Sequence, residues 1–202
     1  MEFDEEKIKL LTNKIRVDMN KSNYSEAIKS GLRIYNNKNF NELSNYYKYV
    51  TLYNLALCYK KNNMYNEAME FVRICLPYSK NDEQFYHRLL WLMNECVIFL
   101  KIDTDKEIIS RYLQCSKYYK KINSKLMRAY VLYNIAKYKK DSLKMFMVFK
   151  VIINETNAII PTFVSYNKRA DVLEMLNDIQ KISENAYKNA CNYLNIEVVD
   201  YR

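Results

Sequence analysis

Gly31 is the only glycine in a chain of 202 residues. Tight hairpin turns, bulges, phosphate-cradling loops and nucleophile elbows all draw on glycine, because it reaches positive φ with no Cβ to clash. So glycine-poor a sequence is unsuited to a β protein, and to a nucleotide-binding α/β enzyme whose fingerprint needs several glycines. An all-helical fold is what remains. Pro77 and Pro161 are the only prolines, so few positions interrupt helices either.

Within that helical chain a short pattern returns. LTNKI at 11–15, LYNLA at 52–56, LMNEC at 92–96 and LYNIA at 132–136 share Leu-x-Asn and stand 41, 40 and 40 residues apart. A fixed period of this size is the signature of a repeat array. In the second copy, Leu52, Leu55, Ala56 and Tyr59 fall on one helical face, KKNNM at 60–64 breaks the pattern, and Tyr65, Ala68, Val72 and Cys75 begin a second face. Each repeat therefore reads as a helical hairpin, with small residues where its two helices approach closely.

A large aliphatic residue, then Leu-Ala, Tyr59, Tyr65 three before Ala68, and a small residue seven later resemble the tetratricopeptide repeat (TPR). The first copy offers Leu11, Ile15 and Ala27, the third Leu92, Cys96, Phe99, Ile108, Tyr112 and Cys115, and the fourth Leu132, Ile135, Ala136, Tyr138, Val148 and Ile152. The period near 40 exceeds the family's usual length of about 34, and Glu95 takes a place that is normally apolar. Longer repeats of this kind are similar to the peptide-binding halves of the Rap-like and PlcR-like pheromone sensors, a resemblance that covers roughly residues 5–160. It implies an all-α, right-handed solenoid of about four TPR-like hairpins over 1–160. Residues 161–202 then form the closing part of the same domain.

In that closing part Ala170, Leu173, Leu176, Ile179, Ile182, Ala186, Ala190 and Tyr193 keep helical spacing, as one long capping helix or a tight final hairpin. An open solenoid end has to be covered. Capping the array is one use of the stripe, and a homodimer through 170–195 is the other.

Asn13, Asn54, Asn94 and Asn134 follow the leading leucines by two residues, about 200° round a helix, and so leave the face that packs on the second helix of the hairpin. First helices line the concave surface of such arrays, and the column becomes a ladder of carboxamides able to bond a peptide's N–H and C=O together. The resemblance implies this same role. The competing reading is a set of solvated asparagines in an asparagine-rich chain. On the same stripe lie Arg16, Leu57, Lys61, Leu90, Val97, Lys101, Tyr130 and Lys137, a groove apolar in the middle and basic at its edges. That composition suits a short peptide or protein segment, acidic or with a free carboxylate.

Catalysis has little to stand on. The single histidine, His87, shares a face with Trp91 and has no second histidine or paired cysteine at ligand spacing, so no metal site or cofactor is expected and a structural or rim role is assigned to it. Cys58, Cys75, Cys96, Cys115 and Cys191 are odd in number and lack a C-x-x-C pair, which places the chain in a reducing, cytoplasmic setting with packing cysteines. No apolar run has the length of a membrane span, and MEFDEEK is not a signal-peptide start. Lys plus Arg outnumber Asp plus Glu by 32 to 23, a formal charge of +9 that favours an acidic partner. The expected function is a peptide-binding regulator of the pheromone-sensor type, either without a DNA-binding unit or excised from a larger one. The alternatives are a protein scaffold without small ligand, and an RNA-binding helical repeat supported by charge alone.

Overall fold

The computed structural model describes residues 5–159 and 170–196, and every described element is helical. In chain order these are α1 (Glu5–Asn20), α2 (Tyr24–Tyr35), a 3-10 turn (Phe40–Glu42), α3 (Asn45–Lys61), α4 (Tyr65–Ser79), α5 (Glu83–Leu100), α6 (Asp105–Lys121), α7 (Lys125–Tyr138), α8 (Ser142–Ile159), α9 (Ala170–Ile182) and α10 (Glu184–Leu194). The chain divides into two compact units, Met1–Arg111 and Tyr112–Arg202, with the boundary inside α6.

In the first unit α1 packs on α2 and α3 on α4, so the first two hairpins read from the sequence are present. Each second helix also meets the next first helix, α2 on α3 and α4 on α5, while α1, α3 and α5 touch in succession. This neighbour-to-neighbour packing is how stacked hairpins bury a continuous core that none could bury alone. The repeat's leading residues supply it: Leu52, Leu55, Ala56, Ala68, Val72, Cys75, Leu92 and Cys96 are all buried. Gly31 lies where α2 crosses α3. A Cβ there would stand 2.7 Å from Leu55 Cδ2 and 2.9 Å from its Cγ, so the one glycine serves a close approach between helices rather than a turn.

Turns are made without glycine. Ser22, Asn63, Lys101, Asn123, Lys140 and Asn195 all have φ between 54° and 61°. At all six the N–H after this left-handed residue returns to a carbonyl of the last turn: Asn23 to Asp18 O (2.8 Å), Met64 to Tyr59 O (2.9 Å), Ile102 to Val97 O (3.4 Å), Ser124 to Tyr119 O (2.9 Å), Asp141 to Ala136 O (2.9 Å) and Ile196 to Cys191 O (3.2 Å). That is the Schellman closure, usually given to glycine and here given to asparagine, serine and lysine. Helix starts carry their own signals. Thr104 and Glu107 form a reciprocal capping box before α6, and Asp82 Oδ1 accepts from Phe85 N at 2.9 Å before α5.

In the second unit α7 and α8 form the fourth hairpin, α9 packs on α8, and α10 packs on both α8 and α9. Their shared core holds Tyr133 and Ala136 from α7, Met145, Phe149 and Ile152 from α8, Leu176 and Ile179 from α9, and Tyr187 and Ala190 from α10. The closing stripe is therefore two helices rather than one. Ser183 separates them, its hydroxyl accepting from Ala186 N at 3.3 Å to cap α10. Of the stripe, Leu176, Ile179, Ala186 and Ala190 are buried in the chain's own core, Leu173 and Ile182 are half-buried, and Ala170 and Tyr193 are exposed. The buried members of the stripe pack within the second unit, in the manner of a capping element, and the exposed members Ala170 and Tyr193 are the ones a homodimer would use.

Candidate functional site

The asparagine column does not share one environment. Asn13 on α1 is exposed, Asn54 on α3 is half-buried, Asn94 on α5 is fully buried and Asn134 on α7 is half-buried. Asn94 departs most from the solvated position expected of it. Its Nδ2 donates to Ile108 O at 3.0 Å, and its Oδ1 accepts from Arg111 Nε at 2.6 Å, both from α6. Arg111 continues the network into an ion pair with Asp103. Both ends of the Asn94 carboxamide are thus spent on the second helix of its own hairpin, the face the column was expected to avoid. The physical reason is that α5 is enclosed by α3, α4 and α6, so a residue 200° from one packed face still meets a helix.

The same enclosure removes Leu90 and Val97, which were expected to line a groove: they are 5% and 0% exposed and belong to the core. In the fourth copy the candidates point at α9. Tyr130 Oη donates to Asp171 Oδ2 at 3.3 Å and Lys137 Nζ pairs with Asp178 Oδ2 at 2.5 Å, a match of i and i+7 on both helices. Asn134 Nδ2 donates to Tyr130 O of its own helix at 3.0 Å. Here α9 takes the place beside α7 that a further first helix would occupy, and the column becomes an internal contact. Glu95, out of place in the repeat, pairs across to Lys60 at 2.7 Å and ties α5 to α3.

What remains reachable lies on α1 and α3, with Lys101 at the end of α5. Asn13, Arg16, Lys61 and Lys101 are exposed, and Leu57 is half-buried beside Asn54. Among the described residues the Asn54 carboxamide has no hydrogen-bond partner, and neither Arg16 nor Lys61 has a carboxylate within 4.0 Å. His87 Nδ1 donates to Glu83 O at 2.6 Å within its own helix. All five cysteines are buried, and burial pushes the thiols of Cys58, Cys75 and Cys115 up to about 12 and that of Cys96 to about 11. Such thiols stay protonated and pack as small apolar groups. No group of three metal-ligating side chains comes together among the described residues, and no described helix is long and apolar enough to cross a membrane.

One concavity was not anticipated from the sequence. In the second unit a cavity of about 300 Å³ is bounded by the end of α6, the first half of α7 and the second half of α8, with Ala129, Leu132 and Val151 as apolar wall and Lys120, Lys125 and Arg128 at its basic side. The signal that could have found it is the K-x4-K-x2-R spacing of those cations beside a helix, α8, whose apolar residues run on two faces.

No protein-family model matches the sequence, and no curated protein matches it either. Among solved structures the chain is similar to one from Podosopora anserina, assigned as a kinesin light chain with nearly identical TPR-like repeats. The two share 10% identity at a TM-score of 0.62, over 93% of this chain and 92% of that one. The fold is a TPR-like helical repeat. At this identity the likeness speaks for the arrangement of the helices and for nothing finer.

Proposed function

We infer that the chain is a protein-interaction module that holds a segment of another protein against the first-helix surface of its first unit. The observation that carries this reading is the state of Asn54: half-buried, bonded to no other described side chain, and followed on the same face of α3 by Leu57 one turn on and Lys61 two turns on. A carboxamide in a partly desolvated wall can accept and donate to one peptide unit at once, and the adjacent cations suit carboxylates. TPR-like folds are built to present such surfaces, and the second unit's α9 and α10 serve in this reading as the array's closing element. In its finer form the segment is a short regulatory peptide and the module signals to a partner by a population shift, as in the pheromone sensors it resembles. The resemblance of the long repeat supports that form.

The test uses peptides captured on the full chain from a displayed random library. Asn54→Ala leaves a peptide N–H or C=O unpaired, so affinity falls about five- to 150-fold, for a cost of about 1–3 kcal/mol, with the melting temperature unchanged. Asn94→Ala behaves in the opposite way: it strands Arg111 and the Ile108 carbonyl, so stability falls by about 1–3 kcal/mol while peptide affinity holds. Equal binding by wild type and Asn54→Ala would sink the surface. A steep loss of binding between low and moderate salt would point instead to nucleic acid.

A further inference from the structure

On α8 the buried stripe of Met145, Phe149 and Ile152 is not the only apolar one. Leu143, Met147 and Val151, at i, i+4 and i+8, are 67%, 55% and 46% exposed. They form a second line on the helix, about 12 Å long at 1.5 Å per residue. It ends at the cavity, because Val151 is also part of the cavity wall. A stretch of exposed large side chains that runs into a concavity of this size is a feature of docking sites rather than of scattered surface residues.

The charges around it decide what would dock. Lys144 is paired with Asp141 at 2.9 Å, and Lys150 lies over the rings of Phe146 and Tyr193 at 4.9 and 6.0 Å. Lys120, Lys125 and Arg128 are exposed, and among the described residues none has a carboxylate within 4.0 Å. One carboxylate, Glu155, also lines the cavity, so the site carries three unspent cations against one anion. We propose that this face of the second unit is a docking site for an acidic amphipathic helix of a partner protein. One apolar side chain of the partner enters the cavity beside Val151, its apolar line lies along Met147 and Leu143, and its carboxylates meet Lys120, Lys125 and Arg128. A helix fits because the line it must cover has helical spacing. The proposal uses none of the residues of the α3 surface and stands apart from that reading.

The probe is a fluorescently labelled designed helix with leucines at i, i+4 and i+7 and glutamates flanking them, alongside a twin with lysines in place of the glutamates. The full chain binds the glutamate helix and not the lysine helix. Charge reversal by Lys120→Glu, Lys125→Glu and Arg128→Glu together inverts this preference. Val151→Glu weakens the glutamate helix at least tenfold, and Asn54→Ala leaves it unchanged. The charge reversals and Val151→Glu alter exposed positions, and circular dichroism and melting check that every variant remains folded. Absence of binding by the glutamate helix at low salt overturns the proposal, as does equal binding by wild type and the charge-reversed variant. Tighter capture of single-stranded oligouridylate through the same three cations also overturns it, in favour of RNA.

Discussion

Gly31 and Leu55 show how one side chain decides a helix crossing. Alanine at 31 would gain about 1 kcal/mol of helix propensity. Its methyl, however, would meet two atoms of Leu55 under 3.0 Å, and Leu55 is 1% exposed with no room to swing aside. Overpacking of a closed core costs about 1–3 kcal/mol, which outweighs the propensity gain. Gly31→Ala is expected to lower the urea midpoint in the wild-type background. With Leu55→Ala already in place the clash is gone and the same change should raise it. A double-mutant cycle on these two positions reads the sign directly. The sequence marked position 31 as unusual by its rarity and gave no hint that its partner was Leu55, since that contact is made by a helix in the next hairpin.

Helix ends carry a cost that their residues make measurable. Lys140, at φ 54° between α7 and α8, holds a left-handed backbone that a Cβ disfavours by about 1–2 kcal/mol. Glycine removes that cost and returns about 0.4–1 kcal/mol of it through its more flexible unfolded state. Lys140→Gly should therefore stabilise by about 0.5–1 kcal/mol, or about 2–4 °C for a full 1 kcal/mol in a chain of this size. Asn63→Gly, at φ 61°, should gain less, because asparagine tolerates this region better than lysine does. A calorimetric scan of the two variants checks both the sign and the order. Scarcity of glycine pointed correctly to helices, yet six left-handed turns occur among the described residues. Asparagine tolerates this region of backbone space, and the Schellman bonds at the helix ends hold serine and lysine in it as well.

Across the whole chain the buried thiols and phenols give a pH dependence. Burial raises Cys58, Cys75 and Cys115 to about 12 and Cys96 to about 11, and moves Tyr49, Tyr53 and Tyr133 upward as well. In the unfolded chain a thiol titrates near about 8.5 and a phenol near about 10. Above those values the unfolded state releases protons that the folded state keeps. The folded state thus binds more protons, and stability must fall as pH rises. It is fully present below about pH 8.5 and is lost progressively as pH climbs toward the folded values. Urea midpoints taken from about pH 7 to about pH 10.5 should decline, and replacing Cys58 and Cys75 by alanine should flatten the decline. A flat wild-type profile would mean that these thiols titrate normally in the fold.

Helical class, hairpin boundaries and the 40-residue period were legible in the sequence because each depends on contacts between residues close along the chain: spacing at i, i+3 and i+4, breaks at KKNNM, and the near absence of glycine. The surroundings of the asparagine column were not legible. Asn54 and Asn94 stand at the same place in the repeat, two residues after a leucine, but Arg111 and Ile108 reach Asn94 from α6, and Asp171 and Asp178 on α9 occupy the column's fourth copy. The break at Ser183, the Gly31 crossing and the basic cavity beside Val151 likewise exist only where separate helices meet. Local spacing tells a side chain which way to point from its own helix, and only the neighbouring helices determine whether water or protein is waiting there.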